Sequence, residues 1–536
     1  MLGSDQFNRV CTNGHRYQGL VWPNGTVYSD AEAECFRSPP PYNPPKRAGG
    51  GLKSDDGEQQ PCRDRWLAPF SSDSIWNTAI GSDAKFEPAE LFHPDDPRGV
   101  PDNFHNDQDF LLRTTTEDPL TTWVNQGDWG ADDHCAIQNH TNSGKPCSSS
   151  SRQLDGCHAE IRLPREWTSA SDCDGRPDSS GSNCRSAASQ SNNNAMALLL
   201  PDNETLVQMQ PVYRCGFWPS PLLARWGNAT DGGPQQFPNT TSIFGDGTLG
   251  AHGGSGLSSI GGSIRLGELL PDAPAISHAL KIELANFWYF GSAQLQPPTE
   301  YNGGRTQYLW PAIGSNGAYD ASTQNSTAGY TGTNRFVAPG ALLAIPASSA
   351  SSVHTTTQIG AKIKQALVDY GGYIVDGSGR GTGKHPHHNL AAICMDAEVN
   401  AEMRKAYNVD MAYPHGVSNP ELAGPGAGPA AAALYGDLLR IFQALHAVAN
   451  NAPASIGGGG TPRRPRKPPI CGASKAKLDD EERALVRARP AATGILAPLV
   501  TRTRAAALHE SAGIYPCYQA TCAGNATCCH YGGADL

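Results

Sequence analysis

The chain has 536 residues, a formal net charge of −10 at pH 7 and only 17% charged residues. That length exceeds one ordinary domain of roughly 150 residues, and the negative balance excludes a general affinity for nucleic acid or other anionic polymers, which leaves neutral or cationic partners. No apolar run reaches the ~18 residues that would cross a bilayer as a helix, so no membrane span is expected.

Abundant glycine (59) and proline (42) favour short strands joined by many turns, so the expected fold class is mainly β. Asn-x-Ser/Thr sequons at Asn24, Asn139, Asn203, Asn228, Asn239, Asn325 and Asn525, with 15 cysteines, point to an oxidising compartment outside the cell, where N-linked glycans and disulfides form. An odd cysteine count leaves at least one thiol free or bonded to another chain. Met1 to Asp5 lack the basic and apolar regions of a secretory leader, and the expectation is that a leader has been removed.

In chain order, residues 1–62 read as an extended arm in which Cys11, Cys35 and Cys62 flank the proline-rich run from Ser38 to Pro45. Ser38-Pro39-Pro40-Pro41 resembles hydroxyproline glycosylation sites of plant and green-algal wall glycoproteins, which implies O-glycans there. Residues 63–451 read as a β-rich globular core anchored by Trp66, Phe70, Ile75 and Trp76, with a cysteine-rich loop insertion near 131–190 carrying Cys135, Cys147, Cys157, Cys173 and Cys184. Too few large apolar residues occupy that insertion to build a core, so local disulfides are expected to staple it, and Cys215 joins the disulfide candidates.

Strands are predicted at 159–163, 195–200, 206–212, 279–290, 336–346 and 373–376. Ile359, Ile363, Ala366, Leu367 and Tyr370 recur at helical spacing before Gly371-Gly372 stops the helix. Leu434, Leu438, Ile441, Phe442, Leu445 and Val448 form a second apolar stripe, and both stripes read as packing surfaces. Residues 452–470, rich in glycine, proline and arginine, read as a linker or as an arm lying over another surface. Residues 471–536 combine a charged helix near 478–489 with Cys471, Cys517, Cys522, Cys528 and Cys529, whose spacing favours disulfides over a zinc site.

Chemistry is sparsely signalled, and no cofactor is expected. The glycine-rich stretch 245–262 contains Gly245-x-Gly247-x-x-Gly250, yet no strand-to-helix context follows it to make a dinucleotide site. His252-Gly253-Gly254 lacks a partner Gly-x-Ser-x-Gly nucleophile elbow. Tight turns and close backbone contact explain the glycines best. His385, His387 and His388 are weak metal candidates, with Asp376, Asp396 or Glu398 to complete a shell, against a plain loop histidine cluster. Elimination from a uronate polysaccharide needs a cation on the carboxylate and a base for the α-proton; His252, Arg265, His278, Lys281 and Tyr308 are the residues able to serve. In a strand, His278 and Lys281 would point to opposite faces.

The segments Ser263-Ile264-Arg265-Leu266-Gly267-Glu268-Leu269 and 276–282, the opening 69–77, Trp310-Pro311-Ala312 and 366–371 together resemble a group of secreted, largely uncharacterised bacterial and algal proteins. Over about residues 65–470 the resemblance implies a large β-sandwich core reminiscent of carbohydrate-active jelly rolls, and it implies no catalytic residues. The proline-rich and cysteine-rich arms depart from it. The resulting expectation is an extracellular structural or carbohydrate-associated glycoprotein, with glycans or matrix as partners and self-assembly into a matrix or filament through its terminal arms. The alternative is a secreted polysaccharide-degrading enzyme, a uronate lyase, with Trp218, Trp226, Trp288 and Trp310 as sugar-stacking candidates.

Overall fold

The computed structural model describes residues 62–471 apart from 93–99, 102, 126–156, 166, 170–193, 215–217, 227–239, 292–307, 316–329, 331, 379–389 and 412–427, together with four short strand segments outside that range. The strands are β1 (Leu52–Lys53), β2 (Gln59–Gln60), β3 (Phe86–Pro88), β4 (Asn103–Arg113), β5 (Leu120–Asn125), β6 (His158–Arg162), β7 (Met196–Leu199), β8 (Thr205–Tyr213) and β9 (Leu222–Trp226), followed by β10 (Thr240–Ser242), β11 (Leu280–Leu284), β12 (Leu342–Ala344), β13 (Gly372–Gly377), β14 (Leu390–Asp396), β15 (His446–Val448), β16 (Tyr518–Thr521) and β17 (Thr527–His530). The main helices are α1 (Gln358–Asp369), α2 (Val399–Tyr407) and α3 (Pro429–Gln443).

Thirteen strands form one mixed sheet in the order β3-β15-β12-β13-β11-β14-β4-β7-β8-β9-β5-β6, with β10 paired to β8. The described chain is thus mainly β, as its composition predicts. Strand β4 joins the two halves of the sheet: its residues 103–109 run parallel to β14, and its residues 110–113 run parallel to β7. The pairs β11/β13 and β5/β9 are also parallel. Among the described residues no helix is long and apolar enough to cross a membrane.

Side-chain alternation divides the central strands into two faces. Phe104 on β4, Leu280, Ile282 and Leu284 on β11, Ile374 on β13 and Ile393 on β14 point to one side, where they share a core with Ile363 and Leu367 of α1, Met403 of α2 and Leu434 and Phe442 of α3. The intervening residues point to the other side, which is covered by loops. There Trp76, Leu257, Ile260, Tyr373, Val375 and Cys394 form a second core, with the Trp76 and Tyr373 rings edge to face at 5.4 Å.

The helix layer is fixed by local chemistry. The Thr357 hydroxyl accepts from the Gly360 amide at 2.9 Å and caps α1. Buried Asp437 on α3 accepts from the backbone amides of Thr356 and Thr357 at 2.8 and 2.7 Å, so the start of one helix is tied to the middle of another. The 452–471 segment lies over the core, as an arm rather than a free linker. Pro462 bridges to Gly81 and Ile470 to Arg63, Arg464 meets Asp369 at 2.7 Å, and a Cys62–Cys471 disulfide closes it.

Several predicted elements hold and others differ in extent. The 373–376 strand and the α1 stripe are present, and Gly371 turns the chain between them. The second stripe spans two elements, because α3 ends at Gln443 and Val448 sits in β15. Within 279–290 only Leu280–Leu284 is strand, and within 336–346 only Leu342–Ala344. Helix α2 and the strands β4, β5, β9 and β14 carry no prediction. The charged helix expected near 478–489 and most of both terminal arms lie outside the described residues.

Candidate functional site

On the helix-free face, alternate residues of adjacent strands bring ionisable groups together. Strand β4 contributes His105, Asp107 and Asp109, β11 contributes Lys281 and Glu283, β13 contributes Asp376, and β14 contributes Cys394 opposite Asp107. The glycine-rich segment folds over them and supplies His252, which is fully buried. Its Nε2 lies 3.1 Å from Asp109 Oδ1 and 3.4 Å from Asp107 Oδ2. Lys281 Nζ lies 2.8 Å from Asp109 Oδ2, both side chains wholly buried, and donates to the Ser259 carbonyl at 2.9 Å. Ser263 Oγ donates to Asp109 Oδ2 at 2.8 Å.

The glycines allow this approach. Gly253 has φ +55°, and a Cβ there would meet the Asp376 carboxyl at 2.4 Å; Gly262 has φ +76°, and a Cβ there would press on the Trp76 ring and the Lys281 stem. Both positions need a residue that adopts the left-handed region without a side chain. Gln208 on β8 fastens the same loop, its Oε1 accepting from the Ser259 amide at 2.7 Å and its Nε2 donating to the Leu249 carbonyl at 3.1 Å.

Burial disfavours the charged forms, and neighbouring groups sort the carboxyls. Burial, reinforced by Asp107 and Asp376, pushes Glu283 well above the usual carboxylate range. A hydrogen bond joins Glu283 to Asp107, whose own pKa burial raises. Burial also lifts Asp376 to about 6 and, with Glu283 beside it, pushes the Cys394 thiol well up. Asp109 goes the other way: burial opposes ionisation, but Lys281 and His252 hold it below the usual range. Asp107, His252, Glu283 and Cys394 each offer a ligand atom, all within 4.8 Å of one another, and can hold a metal ion.

The five residues selected from sequence therefore separate. His252 and Lys281 share the central cluster. Arg265 and His278 form a second buried group, in which the guanidinium donates to the Ser263, Ile260 and Trp66 carbonyls, each at 3.0 Å, and meets His278 Nε2 at 3.2 Å. Burial lowers the His278 pKa, and Glu268 lies 3.1 Å from the same nitrogen. His278 precedes β11 instead of alternating within it.

Tyr308 lies apart from both groups, in a cleft of about 890 Å³ that Asp73, Asp246, Trp310, Arg335 and Phe336 also line. Burial raises the Tyr308 pKa. Trp218 is 40% exposed, whereas Trp288 packs against the helix-side core.

His385, His387 and His388, six of the seven sequons and most of the disulfide candidates lie outside the described residues. Asn203 is exposed at the turn between β7 and β8, and its Nδ2 donates to the Pro201 carbonyl at 3.1 Å. Asp376, selected as a partner for those histidines, lies beside His252. Asp107, Asp109, Glu283 and Cys394 had no signal as site residues. The one trace is the alternation Phe104, Asn106, Gln108 against His105, Asp107, Asp109, which polar composition hides as a strand. Searches of family models, curated proteins and solved structures return no match to this chain.

Proposed function

We propose that the protein is a secreted, carbohydrate-associated glycoprotein that holds a neutral glycan in the cleft at Tyr308, Trp310 and Phe336. The observation that carries this reading is the cleft itself: about 890 Å³, with half-buried aromatic side chains beside the polar groups Asp73, Asp246 and Arg335. That volume and lining suit a ligand that stacks its apolar faces and hydrogen-bonds its hydroxyls. A chain of net charge −10 favours a neutral glycan over an anionic one. The resemblance to secreted β-sandwich proteins of carbohydrate-active type belongs to the same proposal, as do N-glycosylation and terminal arms that link neighbouring copies or matrix.

The uronate lyase alternative needs a cation free to meet the substrate carboxylate. Lys281 is buried against Asp109, Arg265 is spent on three carbonyls and His278, and neither lines the cleft, so binding there is the better reading. The test titrates the full chain by calorimetry with neutral glucans, mannans and chitin oligomers and with pectate and alginate, while absorbance follows unsaturated uronates. The expected result is saturable binding of a neutral oligomer, weakened about 3- to 10-fold by Trp310→Ala, with no absorbance change. Uronate turnover by the unaltered chain would establish the lyase instead.

A further inference from the structure

We propose that Asp107, His252, Glu283 and Cys394 form a binding site for a divalent ion of borderline softness, zinc, which clamps the glycine-rich loop onto the sheet. The four donors come from β4, the loop, β11 and β14, and their ligand atoms lie within 4.8 Å of one another. Tetrahedral zinc with these donors needs roughly 3.3–3.8 Å between ligand atoms, so small side-chain rotations close the set.

Three observations favour an ion over a bare polar cluster. The first is charge. Four carboxyls, Asp107, Asp109, Glu283 and Asp376, and the Cys394 thiol face one lysine and two histidines, His105 and His252, in this space, and Lys281 is committed to Asp109 at 2.8 Å. Unbalanced buried carboxylates are costly, and a divalent cation offsets them. The second is His252, wholly buried, neither of whose ring nitrogens has a hydrogen-bond partner among the described residues. Its Nε2 points at the carboxyls, 3.4 Å from Asp107 and 3.1 Å from Asp109, the side on which an ion would sit. The third is Cys394, a free buried thiol in a protein that carries a disulfide.

The donor set selects the ion. Calcium and magnesium take oxygen ligands, whereas thiolate with imidazole suits zinc. Four protein ligands leave no open position, which marks a structural site. The Asp107 side chain is 20% exposed and gives the ion its way in. This inference is independent of the glycan reading.

The experiment uses the full secreted chain, stripped with a chelator and dialysed. Zinc chloride is expected to bind stoichiometrically and raise Tm, and calcium chloride is expected to leave Tm unchanged. Cobalt(II) in place of zinc should give a near-ultraviolet sulfur-to-metal charge-transfer band that is absent in Cys394→Ser. Asp109→Asn, which removes a carboxylate from beside both His252 and Lys281, should weaken zinc binding at least about 10-fold. Asp107→Asn, at the partly exposed edge, serves as a second ligand variant where Cys394→Ser fails to fold, and should also weaken binding. A stripped wild-type chain that responds to neither zinc nor cobalt overturns the proposal. So does a chain stabilised by calcium but not zinc, or a charge-transfer band that survives in Cys394→Ser.

Discussion

Asp437 illustrates what one residue contributes. Buried within α3, it collects two backbone amides and the Thr357 hydroxyl and meets Arg440 at 2.6 Å. Burial opposes its ionisation, but those hydrogen bonds hold its pKa below the usual range. Asp437→Ala would leave the Thr356 and Thr357 amides without their acceptor, at about 1–3 kcal/mol for a buried group so stranded. The expected loss is therefore about 3 kcal/mol in urea unfolding, with the Tyr308 cleft unaffected; a loss under about 0.5 kcal/mol would contradict the role assigned to it. The sequence shows nothing of this contact, because 80 positions separate Thr357 from Asp437. Asp107 and Asp109 were hidden for a related reason. Charged residues in a buried strand break the apolar alternation by which strands are recognised, and only the neighbouring strands reveal that these carboxyls have partners.

Elements whose signals are local were legible. Apolar spacing and Gly371-Gly372 mark α1 and its stop, and the alternating or continuous apolar runs of β6, β7, β8 and β13 mark those strands. Extent was less legible where one apolar run serves two elements, as at α3 and β15. The 452–471 arm shows the same limit: its glycine, proline and arginine content reads equally as a linker or as an arm over another surface, and partners distant in sequence hold it to the core. Within it, Lys467 donates to Asn77 Oδ1 at 2.8 Å, and burial, with Arg63 and Arg265 nearby, lowers its pKa to about 7. The unfolded value is about 10.4, so between the two the unfolded chain holds the extra proton. Raising pH removes that proton from the unfolded state and favours folding. Stability contributed by this group should therefore rise from about pH 7 to pH 10, a rise that Lys467→Met should abolish while melting higher than wild type at pH 7. Equal pH slopes for the two proteins in thermal denaturation would contradict the assignment.

At the scale of the whole molecule, one mixed sheet separates two tasks. Three helices seal one face with an apolar core, and the other face carries the buried ionisable cluster, the glycine-rich cover and the arm closed by Cys62–Cys471. The cleft borders this loop-covered side, since Asp246 and Thr248 of the glycine-rich segment line it together with Tyr308 and Trp310. The central claim is that ligand binds there. Hydrogen exchange of the full chain, with and without a saturating neutral oligosaccharide, tests this most directly. The account predicts slowed exchange at residues 245–250 and 308–313 with α1, α2 and α3 unchanged; slowing confined to the helices, or none at saturation, would contradict it.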